Sequence, residues 1–318
     1  MPRATATSRT AKPLADRVAL VAGATRGAGR GIARAVGEAG ATVYCSGRTT
    51  REHAATGVYA GRPETIEETA ALVNAAGGSG IAVRTDHTSA PEVAALVDRI
   101  RRERGRLDIL VNDISEGVLH DWAPFWKLSL DKTFEALQRG VHSHIITSRY
   151  AAALMVEARR GLIVEIGDGN TLAYRQNLAY DLVKITVSRL AYAMAEELHK
   201  HGVAAVAVTP GFMRTEMVLD HFGLTEANWR EAGTKDRHFL SSETPAFVGR
   251  AIAALAADPH VLAKSGGLYT SHELAKAYGV TDVDGSQPDL WSTFGPQKSR
   301  TGIRWTITRE KTARGRKR

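Results

Sequence analysis

The chain of 318 residues has a single cysteine, Cys45. That excludes an intrachain disulfide framework and a metal centre built on thiolates. Cys45 falls in an apolar stretch and reads as a small core residue. No apolar run approaches the roughly 18 residues that span a membrane as a helix. The stretch Met1 to Pro13 is polar and basic and lacks the apolar centre of a secretory signal. Expected from this are a cytoplasmic location and no membrane partner.

Acidic charge is scarce only at one end. Lys298 to Arg318 hold nine basic residues against Glu310 alone, an excess equal to the whole chain's net charge of +8. The rest is close to neutral. Such a tail either touches an anionic surface or is solvated. No nucleic-acid-binding motif accompanies it, so nucleic acid is not an expected partner.

What is present is alternation. Short apolar runs read as strands at Val18 to Ala22, Thr42 to Ser46, Ile81 to Thr85, Leu107 to Asn112, Gly161 to Ile166, Val203 to Val208 and Gly267 to Ser271. Helical patterns lie between them, at Gly29 to Ala39, Thr65 to Ala76, Pro91 to Arg104, Ser129 to Glu157 with a break, and from Tyr180 to His201. Nearly continuous apolar strands between helices predict a parallel sheet buried on both faces, an α/β architecture. Residues 17–285 read as one doubly wound domain, 1–16 as a flexible arm and 286–318 as a basic extension. Thr49 to Glu64 is polar and long for a connection, and reads as an insertion beside a cofactor's adenosine end.

Gly23-Ala-Thr25-Arg26-Gly27-Ala-Gly29 follows the first strand and opens a helix. Glycines let backbone approach a pyrophosphate, and the helix start offers free N–H groups to it. Dinucleotide binding is the expectation. The second strand ends Ser46-Gly47-Arg48, without the acidic residue that binds a ribose diol in NAD sites. Arg48 and Arg26 suit a 2′-phosphate instead, so NADP(H) is the expected cofactor. Arg51 and Arg62 either add to that field or are ordinary surface charge.

Tyr180 and Lys184 share a helix face, four residues apart. An ammonium there is expected to lower the phenol's pKa and prepare it for proton transfer. These motifs, with Asp86 after the third strand, Leu-Val-Asn112 ending the fourth, and Pro210-Gly211-x-x-x-Thr215, resemble the short-chain dehydrogenase/reductase family over about residues 17–275. Within it, Tyr150 to Met155 and Gly161 to Val164 are similar to the dehydrogenase/reductase member 1 branch. The resemblance implies a single Rossmann-type domain with a seven-stranded parallel sheet. It also implies Tyr180 as proton donor and Lys184 as its activator and holder of the nicotinamide ribose. Asp86 would lie beside the adenine, Asn112 would support the cofactor site, and Thr215 would contact the carboxamide or phosphates. A homodimer or homotetramer is implied, and apolar residues such as Ala191, Met194 and Ala195 are compatible with it.

Three positions depart from the family pattern. Asn112-Asp113-Ile114-Ser115 replaces Asn-Asn-Ala-Gly, Gly140 stands for a proton-relay asparagine, and Asp168 stands for the catalytic serine. A slip of one residue would put Gly167 there instead, and Thr171 is a nearby hydroxyl. A serine donates to the carbonyl oxygen as charge builds, which an ionised aspartate does not do. Asp168 is therefore either buried and protonated, or a counter-charge for an iminium substrate, or a loop residue only. The expected activity is NADPH-dependent reduction of a carbonyl on a small apolar or aromatic molecule, with imine reduction as one alternative and a non-catalytic NADP(H) sensor as another. His120, Trp122, Phe125, Trp126 and Glu216 to Phe222 are the expected substrate wall, the aromatics equally suiting a packing or subunit contact. His142, His144, His199 and His201 form i, i+2 pairs that do not share a helix face, so no metal is expected.

Overall fold

A computed structural model describes residues 12–294 apart from Leu119 and Leu172. The basic tail from Lys298 and the N-terminal residues 1–11 lie outside the described residues.

Seven strands form one parallel sheet: β1 (Val18–Ala22), β2 (Thr42–Gly47), β3 (Ser79–Arg84), β4 (Ile109–Asn112), β5 (Gly161–Ile166), β6 (Val203–Thr209) and β7 (Leu268–Thr270). Their order across the sheet is β3-β2-β1-β4-β5-β6-β7. The order reverses direction between β1 and β4, which opens a crevice above their C-terminal ends. Both sequence-predicted features hold, the α/β class and the single Rossmann-type domain.

Alternate residues of each strand face opposite helical layers. Val21, Val43, Val111, Val164 and Val206 pack with α1 (Gly27–Glu38) and α8 (Pro245–Ala257). Leu20, Tyr44, Leu110, Ile163 and Ala205 pack with α3 (Ala90–Arg104), α5 (Ser143–Glu157) and α6 (Leu178–Leu198). Ala191 and Ala195, compatible with a subunit contact by sequence, are 1% and 5% exposed within one chain, and Ala195 packs in this second layer. The remaining helices are α2 (Ile66–Ala75), α4 (Leu130–Leu137), α7 (Glu216–Phe222) and α9 (Ser271–Tyr278).

Local signals set the helix ends. Thr65 and Ser89 cap α2 and α3 by accepting from Glu68 and Glu92 N–H, and Gly105 ends α3 in the left-handed region. Asn177 caps α6 by accepting from the Tyr180 N–H, which seats Tyr180 in the first turn. The expected break between α4 and α5 is a π turn, Gln138–His142, containing Gly140.

Two boundaries differ from expectation. Leu14, placed in a flexible arm, is fully buried, and Lys12 Nζ donates to the carbonyls of Ala76 and Gly77. The start of the C-terminal extension also packs: Leu290 is 6% exposed, and His238 stacks on Phe294 at 4.7 Å. His272 Nδ1 bonds the Pro288 carbonyl at 3.1 Å. Charge counts showed the basic tail but not the apolar anchors just before it.

Candidate active site

The crevice holds a cavity of about 300 Å³ running from Arg48 and Asp86 to Lys184. Gly23, Thr25, Arg26, Gly27 and Thr215 line its middle. A side chain has no room at the turn. A Cβ on Gly23 would lie 2.1 Å from the Asp113 carbonyl oxygen, and one on Gly29 would lie 2.3 Å from that of Gly23. Gly23 and Gly27 also have φ of +87° and +57°, open to glycine and strained for other residues. Arg26, the N-cap of α1, makes no side-chain cap, so the helix start keeps N–H groups for a ligand. One of them, Gly27 N–H, donates to Glu216 Oε2 at 3.0 Å. A carboxylate on that N–H shows that the site attracts an anion. The residues present therefore fit a dinucleotide pyrophosphate.

At the Arg48 end, Asp86 lines the cavity and accepts from Thr88 N–H and Oγ1 at 2.9 and 2.7 Å. Burial works against its charge, yet the Thr88 donors and Arg48 hold its pKa below the usual range. Arg48 makes no ion pair among the described residues and faces the cavity. Arg26 is engaged: Nε donates to Glu64 at 3.3 Å, and its guanidinium lies 4.6 Å from the Tyr59 ring centre. From the stretch 49–64, Ala54, Thr56 and Tyr59 line the cavity near Arg48. Tyr59 Oη reaches across to Ser115 Oγ at 2.8 Å. Arg62 is pinned between Glu64 and Asp220 of α7, and neither Arg62 nor Arg51 lines the cavity.

Asn112, Pro210 and Gly211 do not line the cavity. Asn112 is fully buried and donates to Ser148 Oγ and Glu165 Oε1, each at 2.8 Å. Glu165 also meets His144 Nδ1 at 2.6 Å, and His144 Nε2 meets the Ile114 carbonyl at 3.0 Å. Both ring nitrogens face acceptors, which suits an imidazolium. Burial opposes that charge, but Glu165 raises the His144 pKa above its ordinary value. This buried pair holds the loop after β4 against the cavity. Gly211 N–H donates to Glu243 Oε2 at 2.9 Å, turning the chain after β6.

Tyr180 and Lys184 project from the first turns of α6; Lys184 lines the cavity and Tyr180 does not. The Tyr180 hydroxyl donates to Asp168 Oδ2 at 2.7 Å. Asp168, not Gly167 or Thr171, is thus the residue that meets Tyr180. Gly167 N–H bonds the Val208 carbonyl at 2.9 Å, and Thr171 Oγ1 accepts from Ala173 N–H at 3.2 Å. Asp168 is half-buried. Arg175 donates to its backbone carbonyl and holds the loop.

Lys184 pulls the Tyr180 pKa down as expected, but other groups outweigh it. Burial pushes the phenol up; Lys184 lowers it, but Asp168 and Glu116 add to the rise, and the net direction is upward. Glu116 went unseen in the sequence. Its Oε2 accepts from Lys184 Nζ at 3.1 Å. Burial opposes the lysine charge, but Glu116 first, then Tyr180 and Asp168, raise its pKa. The only sequence signal for Glu116 was the missing side chain at Gly140. Asp113 was also missed as a site group. Burial raises its carboxyl to about 7, while Gly29 N–H donates to it and opposes the rise.

The aromatic wall divides. His120 meets the Tyr180 ring edge-on at 5.3 Å, and Trp122 lies 6.4 Å from it. Phe125 and Trp126 pack on each other and are 63% and 71% exposed. No cluster of metal-ligating side chains occurs among the described residues. None of their helices is long and apolar enough to cross a membrane.

The profile of the short chain dehydrogenase family matches residues 17–222. Dehydrogenase/reductase SDR family member 1 of Homo sapiens is 35% identical over 281 residues, covering 86% of each chain. A solved short chain dehydrogenase from Mycobacterium thermoresistibile superposes with a TM-score of 0.71 at 22% identity, covering 87% of this chain and 95% of that one. A putative NAD(P) dependent gluconate 5-dehydrogenase from Beutenbergia cavernae, solved with bound NADP, gives 0.65 at 25% identity over 82% and 97%. Sheet order, glycine turn and these likenesses agree, and the chain belongs to the short-chain dehydrogenase/reductase family of NAD(P)-dependent oxidoreductases.

Proposed function

We propose that this protein is an NADPH-dependent reductase acting on the carbonyl of a small apolar or aromatic ketone or aldehyde. The observation that carries the reading is the Tyr180 hydroxyl, held as a donor 2.7 Å from Asp168 with its pKa raised by burial. A phenol kept protonated gives a proton to a developing alkoxide and is a poor base for alcohol oxidation. The glycine turn, Arg48, Thr215 and Lys184 would hold NADPH, which would supply the hydride. Arg48, facing the cavity without an acidic neighbour on its strand, supports the phosphorylated cofactor. His120 and Trp122 flank Tyr180 and favour an apolar or aromatic substrate. Exposed Leu130, Phe134, Ile145 and Leu182 on α4 to α6 support a homodimer or homotetramer.

A second reading has its own observation. Two carboxylates, Asp168 and Glu116, accompany the one lysine of the Tyr180–Lys184 pair. With both ionised, the local balance is net negative, which suits a cationic C=N substrate better than an oxyanion.

NADPH oxidation against paired ketones and cyclic imines, with Tyr180→Phe as control, tests both. Ketone turnover lost in the control supports the carbonyl reading. Turnover of imines alone replaces it with the second. NADPH binding with no turnover on either set sinks both and leaves a sensor.

A further inference from the structure

Position 140 has no side chain where the family pattern has an asparagine, and no space for one. A Cβ on Gly140 would lie 2.6 Å from Val183 Cγ1 and 3.2 Å from Glu116 Cβ. Glu116 therefore stands in the volume that a side chain at 140 would enter. It is 8% exposed, with one carboxylate oxygen on Lys184 Nζ at 3.1 Å and the other facing His120 Nε2 at 3.4 Å. His120 in turn borders a small cavity of about 10 Å³ shared with Asp121, Ser129 and Lys132. That is room for about one water. Asp121 and Lys132 form an ion pair at 2.8 Å that is open to solvent, with side chains 39% and 48% exposed. Neither Glu116 nor His120 lines the cofactor cavity. A run of polar groups thus leads from the lysine to bulk water by a route other than the cofactor crevice.

We propose that Glu116 and His120 are positioning residues for Lys184, Glu116 holding its ammonium in place of a side chain at position 140 and His120 linking it to solvent so that it recovers a proton after each reduction. The proposal rests on reading Tyr180 and Lys184 as the proton-donating pair. Each reduction removes one proton from Tyr180, and Lys184 is the neighbouring acid that restores it. A proton taken from water by His120 passes from Nε2 to Glu116 Oε1, and rotation of the carboxyl carries that same proton round to the neutral Lys184 Nζ. Glu116 ends as the carboxylate it began as, His120 as neutral imidazole, and the net supply is one proton from water.

Other charged groups face this pair without offering the same path. Tyr180 and Asp168 lie on the α6 side, bonded to each other. His144 of α5 is bound by Glu165 and the Ile114 carbonyl. Asp113 is tied to Gly29, and Arg139 to Glu135 and the Gly117 carbonyl. Burial opposes the charge of Glu116, but Lys184 holds its pKa far below the usual range. Loss of the lysine's charge removes that hold and lets the carboxylate accept a proton from His120.

The test begins on the cofactor-free protein, where Lys184 titration is read by acetic anhydride labelling against pH and mass spectrometry. Glu116→Gln should bring labelling of Lys184 down by about one pH unit or more relative to wild type. Glu116→Asp, which keeps the charge, should stay near wild type. In turnover, His120→Ala should slow NADPH oxidation about tenfold above pH 7, and added imidazole should restore it. NADPH binding by that variant, read by fluorescence, should be unchanged. Circular dichroism and melting temperature confirm that each variant folds. A Glu116→Gln labelling curve that overlays wild type overturns the role of Glu116. Wild-type turnover in His120→Ala, or a deficit that imidazole does not relieve, overturns the outlet. A wild-type protein that reduces no carbonyl or imine fails the functional reading instead, and the labelling curves still judge Glu116.

Discussion

The Tyr180 hydroxyl donates to Asp168 Oδ2 at 2.7 Å, so the proposed proton donor of this site rests on an acidic side chain. Burial raises the phenol pKa and Asp168 adds to the rise against the opposing pull of Lys184. Asp168→Asn removes the negative charge and should move the Tyr180 pKa down. Reduction by a protonated phenol fails as pH rises through that pKa, so the alkaline limb of the rate profile should shift to lower pH. A rate profile against pH, with tyrosinate absorbance as a second readout, checks this. An unmoved limb would remove Asp168 from the electrostatics of Tyr180.

Asp113 lines the cavity beneath the glycine turn, with its carboxyl pushed up by burial to about 7. Below that pH it is neutral and tolerates a pyrophosphate; above it the carboxylate repels one. Affinity for NADP(H) should therefore weaken several-fold between pH 6 and pH 8 by titration calorimetry at fixed ionic strength. Asp113→Asn should flatten the dependence.

Glu216 occupies Gly27 N–H at the start of α1. It must yield when a phosphate takes that donor, so it competes with the cofactor. Glu216→Gln should tighten NADP(H) binding by about twofold to fivefold, since one charged contact at a helix start is worth up to ~1 kcal/mol. Weaker binding would mean that Glu216 holds the turn in its receptive shape.

Arg48 faces the adenosine end without an ion-pair partner among the described residues. Arg48→Ala should weaken NADPH by roughly tenfold to a hundredfold, the worth of a charged hydrogen bond of about 1.5–3 kcal/mol. NADH binding should change little. Equal losses for both cofactors would contradict recognition of a 2′-phosphate.

Glu243 is 1% exposed, accepts from Gly211 N–H and Ser271 Oγ, and leaves Oε1 without a partner among the described residues. Burial raises its carboxyl to about 8, well above the ordinary carboxylate value of the unfolded chain. Its contribution to stability is full below that ordinary value and is lost as pH rises through the folded value. The melting temperature should drop by several degrees from pH 7 to pH 9, and Glu243→Gln should reduce the drop.

The sequence by itself determined the parts that repeat or cluster along the chain. Apolar runs and helical periodicity placed the seven strands, because sheet and helix faces are written as local spacing. Gly23 to Gly29 and the Tyr180–Lys184 pair were legible for the same reason, each lying within one turn or one helix face. Tertiary structure decided whatever depends on approach across the fold. Leu14 and Leu290 show no signal until the surfaces that cover them exist. Arg26 was expected beside Arg48 at a 2′-phosphate and Arg62 as added field or surface charge, yet Glu64 binds both, with Asp220 also holding Arg62, while Arg48 keeps the crevice. Tyr180 was expected to be acidified by its neighbour one turn away. Burial and two carboxylates, one from the loop after β4 and one from the loop after β5, reverse the direction. The field at a side chain sums over groups brought together by packing, and no spacing along a single segment records that sum.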